Sequence, residues 1–157
     1  MKPKCSIVPY NSSLSAVFKE LNEAWISKYF TMEEVDSRSL EDPEAYILDK
    51  GGHILFALLD DEVAGVCALI KMDGNPYDYE LAKMAVSPNF QGNGIGKLIG
   101  EAVIEKAKSL GARNVYLESN TKLAPAINLY RKLGFIEVEG NASPYERCNI
   151  CMELVFD

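Results

Sequence analysis

One histidine and one tryptophan stand among 157 residues, and no apolar run exceeds the six residues Ile54–Leu59. A membrane-spanning helix needs roughly 18 or more such residues in succession, so no span is expected. The first residues, Met1 to Pro9, include two lysines but lack the apolar stretch of a signal peptide, and a cytoplasmic protein is the expectation. Positive charge is also in short supply. Sixteen Lys and Arg face 23 Asp and Glu, and a net charge of −7 with a pI near 4.8 opposes nonspecific binding to nucleic acid or anionic membrane. The single histidine, His53, starts a predicted strand with no motif pairing it to a cysteine, and a structural role is expected for it.

Cysteine is sparse as well. Cys5, Cys67, Cys148 and Cys151 suit a reducing compartment rather than a disulfide scaffold. Cys148-Asn149-Ile150-Cys151 has C-x-x-C spacing, but it falls in a predicted strand, where residues three apart point to opposite faces. With no second ligand pair beside it, no metal site is expected and small half-buried side chains are.

What is present is an ordinary globular composition, 48% hydrophobic and 25% charged, sized for one domain over residues 1–157. Cys5–Val8 reads as a first strand. Leu14, Val17, Phe18, Leu21, Ala24 and Trp25 then follow helical spacing to about Tyr29, with Ser12 or Ser13 as N-cap. Residues 31–50 form a less regular helical region. His53–Leu59, a turn at Asp60-Asp61-Glu62, Val63–Met72, a turn at Asp73–Pro76 and the strand Tyr79–Val86 predict three consecutive antiparallel strands. A helix ending before Gly111 leads to a parallel strand Asn114–Glu118, a helix Pro125–Leu133 stopped by Gly134, and strands at Phe135–Val138 and Cys148–Phe156. A turn-rich stretch with Gly140-Asn141 and Ser143-Pro144 separates the last two.

The chain is organised around Val86–Gly96, which joins a strand to an amphipathic helix and carries Gly92, Gly94 and Gly96. Glycines at a helix mouth let backbone N–H groups and the positive end of the helix dipole approach an anion, phosphate above all. Two phosphate motifs are excluded. A P-loop needs glycine at Gln91 and Ser or Thr at Leu98, and a dinucleotide fingerprint from Gly94 needs glycine at Ile99.

Gln91-x-x-Gly94-x-Gly96 after a strand resembles the signature of the GNAT superfamily of acetyl-CoA-dependent N-acetyltransferases. Asn128-Leu129-Tyr130-Arg131-Lys132-Leu133-Gly134-Phe135 is similar to that family's second hallmark, and the element order extends the likeness over nearly the whole chain. The resemblance implies an α+β fold, a mixed and mostly antiparallel sheet with helices on both faces. It also implies acetyl-CoA as co-substrate. Main-chain groups of Met84, Ala85 and Val86 would meet the pantetheine arm. Gln91, Gly92, Asn93, Gly94, Ile95, Gly96 and Lys97 would meet the pyrophosphate, and Asn120 is a further candidate contact.

Acetyl transfer to an amine requires a neutral amine, two reactants held together and a stabilised thiolate. By position in the family pattern, Glu80 is the candidate base, with Glu118 as second candidate, and Tyr130 is the candidate acid. Trp25, Tyr29, Phe30, Glu33 and Glu34 are candidate walls of an acceptor cleft suited to a cationic amine of a small molecule or peptide. A homodimer is carried as an expectation. The competing reading is a noncatalytic module that binds an acyl-CoA.

Overall fold

The computed structural model describes residues 4–139 and 147–157, so the turn expected around Gly140-Asn141 and Ser143-Pro144 lies outside the described residues. In chain order the elements are β1 (Cys5–Pro9), α1 (Ser15–Tyr29), α2 (Glu34–Glu41), β2 (His53–Leu59), β3 (Glu62–Lys71), β4 (Tyr79–Val86), α3 (Ile95–Ser109), β5 (Asn114–Ser119), α4 (Ala124–Leu133), β6 (Ile136–Val138) and β7 (Ile150–Val155). The irregular region before β2 is α2 followed by a short π-helical turn, Glu44–Leu48. The strands form one sheet in the order β1-β2-β3-β4-β5-β7-β6. Only β4 and β5 run parallel, because α3 carries the chain back between them.

Strand alternation supplies apolar side chains to both faces, and helices cover each. On one face Ile99, Val103 and Ala107 of α3 and Ile127 of α4 pack with Ala57, Cys67, Leu69 and Leu117. On the other, Phe18 and Ile26 of α1 and Leu40 of α2 pack with Ile54, Phe56, Val66 and Ala68. Each large side chain fully buried in this way contributes about 1.5–3 kcal/mol.

Two local expectations are corrected. Asn11, not Ser12 or Ser13, is the capping side chain at the start of the first helical region: its Oδ1 accepts from the Ser13 N–H at 3.0 Å and caps a 3₁₀ turn that runs into α1. The hairpin turn consists of Asp60 and Asp61 alone, both left-handed with φ of 48° and 70°, while Glu62 already belongs to β3. Positive φ at both central residues matches the right-handed strand twist, and aspartate is among the few non-glycine residues that accept it.

The site depends on what happens along β4. At its start β4 is pinned to β5: Asp78 accepts from the Arg113 backbone N–H at 2.8 Å and its guanidinium at 3.0 Å, and Asn114 Oδ1 accepts from the Asp78 N–H at 2.8 Å. Pairing with β5 covers only Tyr79 and Glu80. Farther on, Val66 pairs with Ala85 but Ala68 with Ala82, so Lys83 and Met84 together oppose Cys67. This is a β-bulge, and Lys83 takes it up at φ 53°. The two strands are joined at one end and part at the other, leaving a cleft between them.

Candidate active site

The cleft is lined by Leu81–Met84 from β4, Glu118–Asn120 from the end of β5, Tyr130 from α4, and Asn22, Trp25 and Ile26 from α1. Glu80 lines it too, at the last paired position of β4 opposite Tyr116. Burial raises the Glu80 pKa, the neighbouring Glu118 charge raises it further, and Lys83 partly opposes both, leaving it at about 7. A carboxyl poised there can exchange a proton near neutral pH. Glu118, two residues along the strand from Tyr116, accepts from the Tyr116 hydroxyl at 3.0 Å.

Tyr130 is placed by the helix that ends at Gly134. Its ring meets Phe135 edge-on at 6.2 Å between centroids. Burial, with a smaller effect of Cys67, pushes its hydroxyl pKa upward, so it stays protonated and able to donate. A thiol ordinarily titrates at about 8.5 and a tyrosine at about 10, so full proton transfer to a thiolate already costs about 2 kcal/mol. Raising the tyrosine widens that gap. The group is suited to donating a hydrogen bond to a departing sulfur.

At the other end of the cleft, β4 runs into the glycine loop. Gly92 and Gly94 have φ of 86° and 72°, a backbone that most side chains resist, and nothing lies within 4 Å of where a Cβ would stand on either. The loop is therefore open on its outer side. The first intrahelical bond of α3 runs from the Leu98 N–H to the Gly94 carbonyl, so the N–H groups of Ile95, Gly96 and Lys97 have no partner within the helix. Open space beside the loop, N–H donors without a partner in the helix and the helix dipole suit a pyrophosphate group. Gly96 differs in role, since a Cβ there would lie 3.1 Å from Leu129 of α4. Lys97 leans toward Glu101 at 3.8 Å, and Asn93 donates to the Phe90 carbonyl at 3.0 Å. Met84 reaches back to α3 near Gly100, while Ala85 and Val86 are held to β3 opposite Val66 and Gly65.

Asn120 is turned inward to brace its own loop. It donates to the Arg147 carbonyl at 2.7 Å and accepts from the Lys122 N–H at 2.9 Å. Of the expected acceptor walls, Trp25 and Phe30 line the cleft. Tyr29 is outside it, 43% exposed and packed on Trp25, and Glu34 pairs with Arg38 on the surface. Both stand on turns of their helices that face solvent. Glu33 reaches the cleft indirectly, accepting from Arg147 at 2.9 Å. His53 is not among the lining residues, and burial, then Lys106, lowers its pKa.

Sequence reasoning missed the group that holds this wall. Asp36, fully buried in α2, accepts from Lys83 at 2.7 Å and from both terminal nitrogens of Arg147 at 2.7 Å. Burial alone would raise its pKa, but Arg147 and Lys83 outweigh it and hold the carboxyl at about 2. A buried aspartate in a short acidic helix looks like any solvated charge in one dimension.

Cys148 corrects another expectation. Strand β7 begins at Ile150, so Cys148 precedes it and strand alternation does not apply. It lines the cleft, and its sulfur lies within 4.8 Å of that of Cys151.

The sequence profile of the Acetyltransferase (GNAT) family matches residues 14–135, and this chain belongs to that family. It is 35% identical over 99 residues to YvbK of Bacillus subtilis, an uncharacterized N-acetyltransferase; the match covers 61% of this chain and 63% of YvbK. A putative ribosomal protein bS18-alanine N-acetyltransferase of the same organism is 27% identical over 73% of this chain and 70% of its own. The fold superposes on a GNAT acetyltransferase from Staphylococcus aureus with TM-score 0.84 and 23% identity, covering 96% and 98% of the two chains. YncA of Salmonella typhimurium, described as a putative acetyltransferase and solved with acetyl-CoA, superposes with TM-score 0.76 and 20% identity, covering 98% and 95%. Among the described residues no helix is long and apolar enough to cross a membrane.

Proposed function

We propose that this chain transfers the acetyl group of acetyl-CoA directly to an amine of a small molecule or exposed peptide. The observation that carries the reading is one cleft holding a carboxyl poised near pH 7, Glu80, and a tyrosine held protonated, Tyr130, next to an open glycine loop. When bound, acetyl-CoA supplies the activated acetyl thioester. Gln91–Lys97 hold its pyrophosphate, and the edge of β4 from Leu81 onward, which β5 leaves, receives the pantetheine arm. Glu80 takes the proton from the ammonium of the acceptor, directly or through one water. Tyr130 donates to the sulfur as the carbon–sulfur bond breaks.

Trp25 and Phe30 with Glu80 and Glu118 favour an acceptor that carries positive charge on an apolar or aromatic-compatible body. The relative described as acting on a ribosomal protein alanine supports a peptide amine as one member of that class. The test is release of free coenzyme A thiol from acetyl-CoA with a panel of polyamines, amino-sugar amines and peptide N-termini. Amine-dependent release identifies an acetyltransferase. Tight acetyl-CoA binding with no release across the panel would instead identify a noncatalytic acyl-CoA-binding module.

A further inference from the structure

Cys148, Cys151 and Glu118 converge on the β5 side of the cleft. Cys151 is the register partner of Glu118 across β5 and β7, and Cys148 stands in the turn just before β7. Their two sulfurs and a Glu118 carboxylate oxygen all lie within 4.8 Å of one another. The Tyr116 hydroxyl is 3.0 Å from both Glu118 Oε2 and Cys151 Sγ, and Tyr77 stacks on its ring at 4.7 Å. This fixes the orientation of two of the three groups. Cys148 and Glu118 also line the cleft, which gives the cluster a path to solvent.

We propose that Cys148, Cys151 and Glu118 form a binding site for a thiophilic divalent metal ion, zinc by preference, on the wall of the cleft. Zinc takes sulfur at about 2.3 Å and carboxylate oxygen at about 2.0–2.2 Å in a tetrahedron, which sets ligand atoms roughly 3.8 Å apart. The donors are within about 1 Å of that spacing, and closing the site takes the Cys148 sulfur from the Ile150 carbonyl, to which it donates at 3.6 Å. Two thiolates exclude magnesium and calcium, which require oxygen ligands, and one carboxylate with an open fourth position suits zinc. On binding, two zinc–sulfur bonds form and each thiol proton leaves to solvent. Cys148 and Glu118 line the cleft, so an ion held by them competes with a cationic acceptor. That consequence rests on the acetyltransferase reading. The binding does not.

The test uses reduced, chelator-stripped full-length protein titrated without oxygen. One equivalent of Co²⁺ should produce the ultraviolet thiolate-to-cobalt absorption and the intense visible bands of a tetrahedral site, and Zn²⁺ should abolish both. Zinc should release about two protons per ion in weak buffer. Cys148→Ser and Cys151→Ser should each weaken Zn²⁺ binding more than about 100-fold, beyond what loss of an outer partner costs. Glu118→Gln should weaken it while keeping the thiolate absorption, and Cys5→Ser, exposed on β1 at the far edge of the sheet, should change nothing. Should the buried Cys151 variant fail to fold, Cys148→Ser carries the test, because that residue is half-buried in a turn. The proposal is overturned by absence of thiolate absorption, by absorption that survives Cys148→Ser, or by loss of absorption in Cys5→Ser. Inhibition of acetyl transfer by Zn²⁺ is measured separately, so inactive protein that binds metal leaves this site standing and removes only the acetyltransferase reading.

Discussion

The Asp36 carboxylate and the Lys83 ammonium meet at 2.7 Å with both side chains buried, although 47 residues separate them in sequence. Lys83 is also the residue in left-handed conformation at the bulge that opens the cleft. One ion pair thus ties α2 to the distortion in β4, and Arg147 closes the network from the turn before β7.

Removing Asp36 takes away the carboxylate that Lys83 and Arg147 share, with Arg147 keeping Glu33 at 2.9 Å, and breaking such a buried group costs about 3–5 kcal/mol. Asp36→Asn should therefore lower the denaturant midpoint strongly. It should also raise the KM of the acceptor more than that of acetyl-CoA, since Arg147 and Phe30 line the part of the cleft proposed for the acceptor. The pH dependence has a definite sign. Because the folded pKa is depressed to about 2, the stabilisation is complete above about pH 4 and is lost as pH falls toward 2. Acid titrations of wild type and Asp36→Asn should converge in that window, and parallel curves would remove Asp36 as the cause.

Glu80 behaves in the opposite sense. Its raised pKa means that the folded state holds a proton which the unfolded state releases, so stability falls as pH rises from about 4.5 to 7. The shift corresponds to up to about 3 kcal/mol. Glu80→Gln should raise the thermal midpoint at pH 8 relative to pH 5 while reducing kcat/KM by about 10²–10⁴ if Glu80 is the base. The wild-type rate should climb through pH 7 as the carboxyl ionises. A profile that stays flat from pH 6 to 8, with chemistry limiting, assigns the base elsewhere.

Gly94→Asp tests the loop with little structural cost. Aspartate tolerates left-handed backbone better than most residues, and the space beyond Gly94 is open. The variant should keep its own melting temperature and lose the acetyl-CoA-induced shift, which for wild type at 100 times Kd corresponds to about 2.7 kcal/mol. An undiminished shift would move the pyrophosphate away from this loop.

Tyr130→Phe should lower kcat with little change in acetyl-CoA affinity, because the lost hydroxyl serves charge that develops only as the thiolate leaves. Equal losses in binding and kcat/KM would make it a binding residue.

Transfer should proceed in a ternary complex without an acetyl-enzyme. A covalent route needs a thiol activated by a neighbouring base. Cys67 is fully buried and burial pushes its thiol pKa upward, while His53 lies outside the cleft that Cys148 lines, so that Glu118, within 4.8 Å of the Cys148 sulfur, is the base such a route would have to use. Initial rates with both substrates varied should give intersecting double-reciprocal lines. Mass spectrometry of protein with acetyl-CoA alone is the sharper measurement, and a kinetically competent adduct on Cys148 would refute direct transfer.

What one dimension determined here is whatever depends on local periodicity and backbone chemistry. The strand before the loop, the left-handed glycines Gly92 and Gly94 and the stop at Gly134 follow from residue type over a few positions, and with them the family resemblance. Glu80 and Tyr130 could be named only through that resemblance. Their meeting in one cleft depends on the bulge at Lys83, and neither the bulge nor the parting of β4 from β5 has a local signal, since lysine ordinarily avoids positive φ. The Asp36–Lys83–Arg147 network and the Glu118–Cys148–Cys151 cluster join residues from different elements. Only tertiary structure decided those contacts, because burial and opposed charge act through space between groups that the sequence keeps far apart.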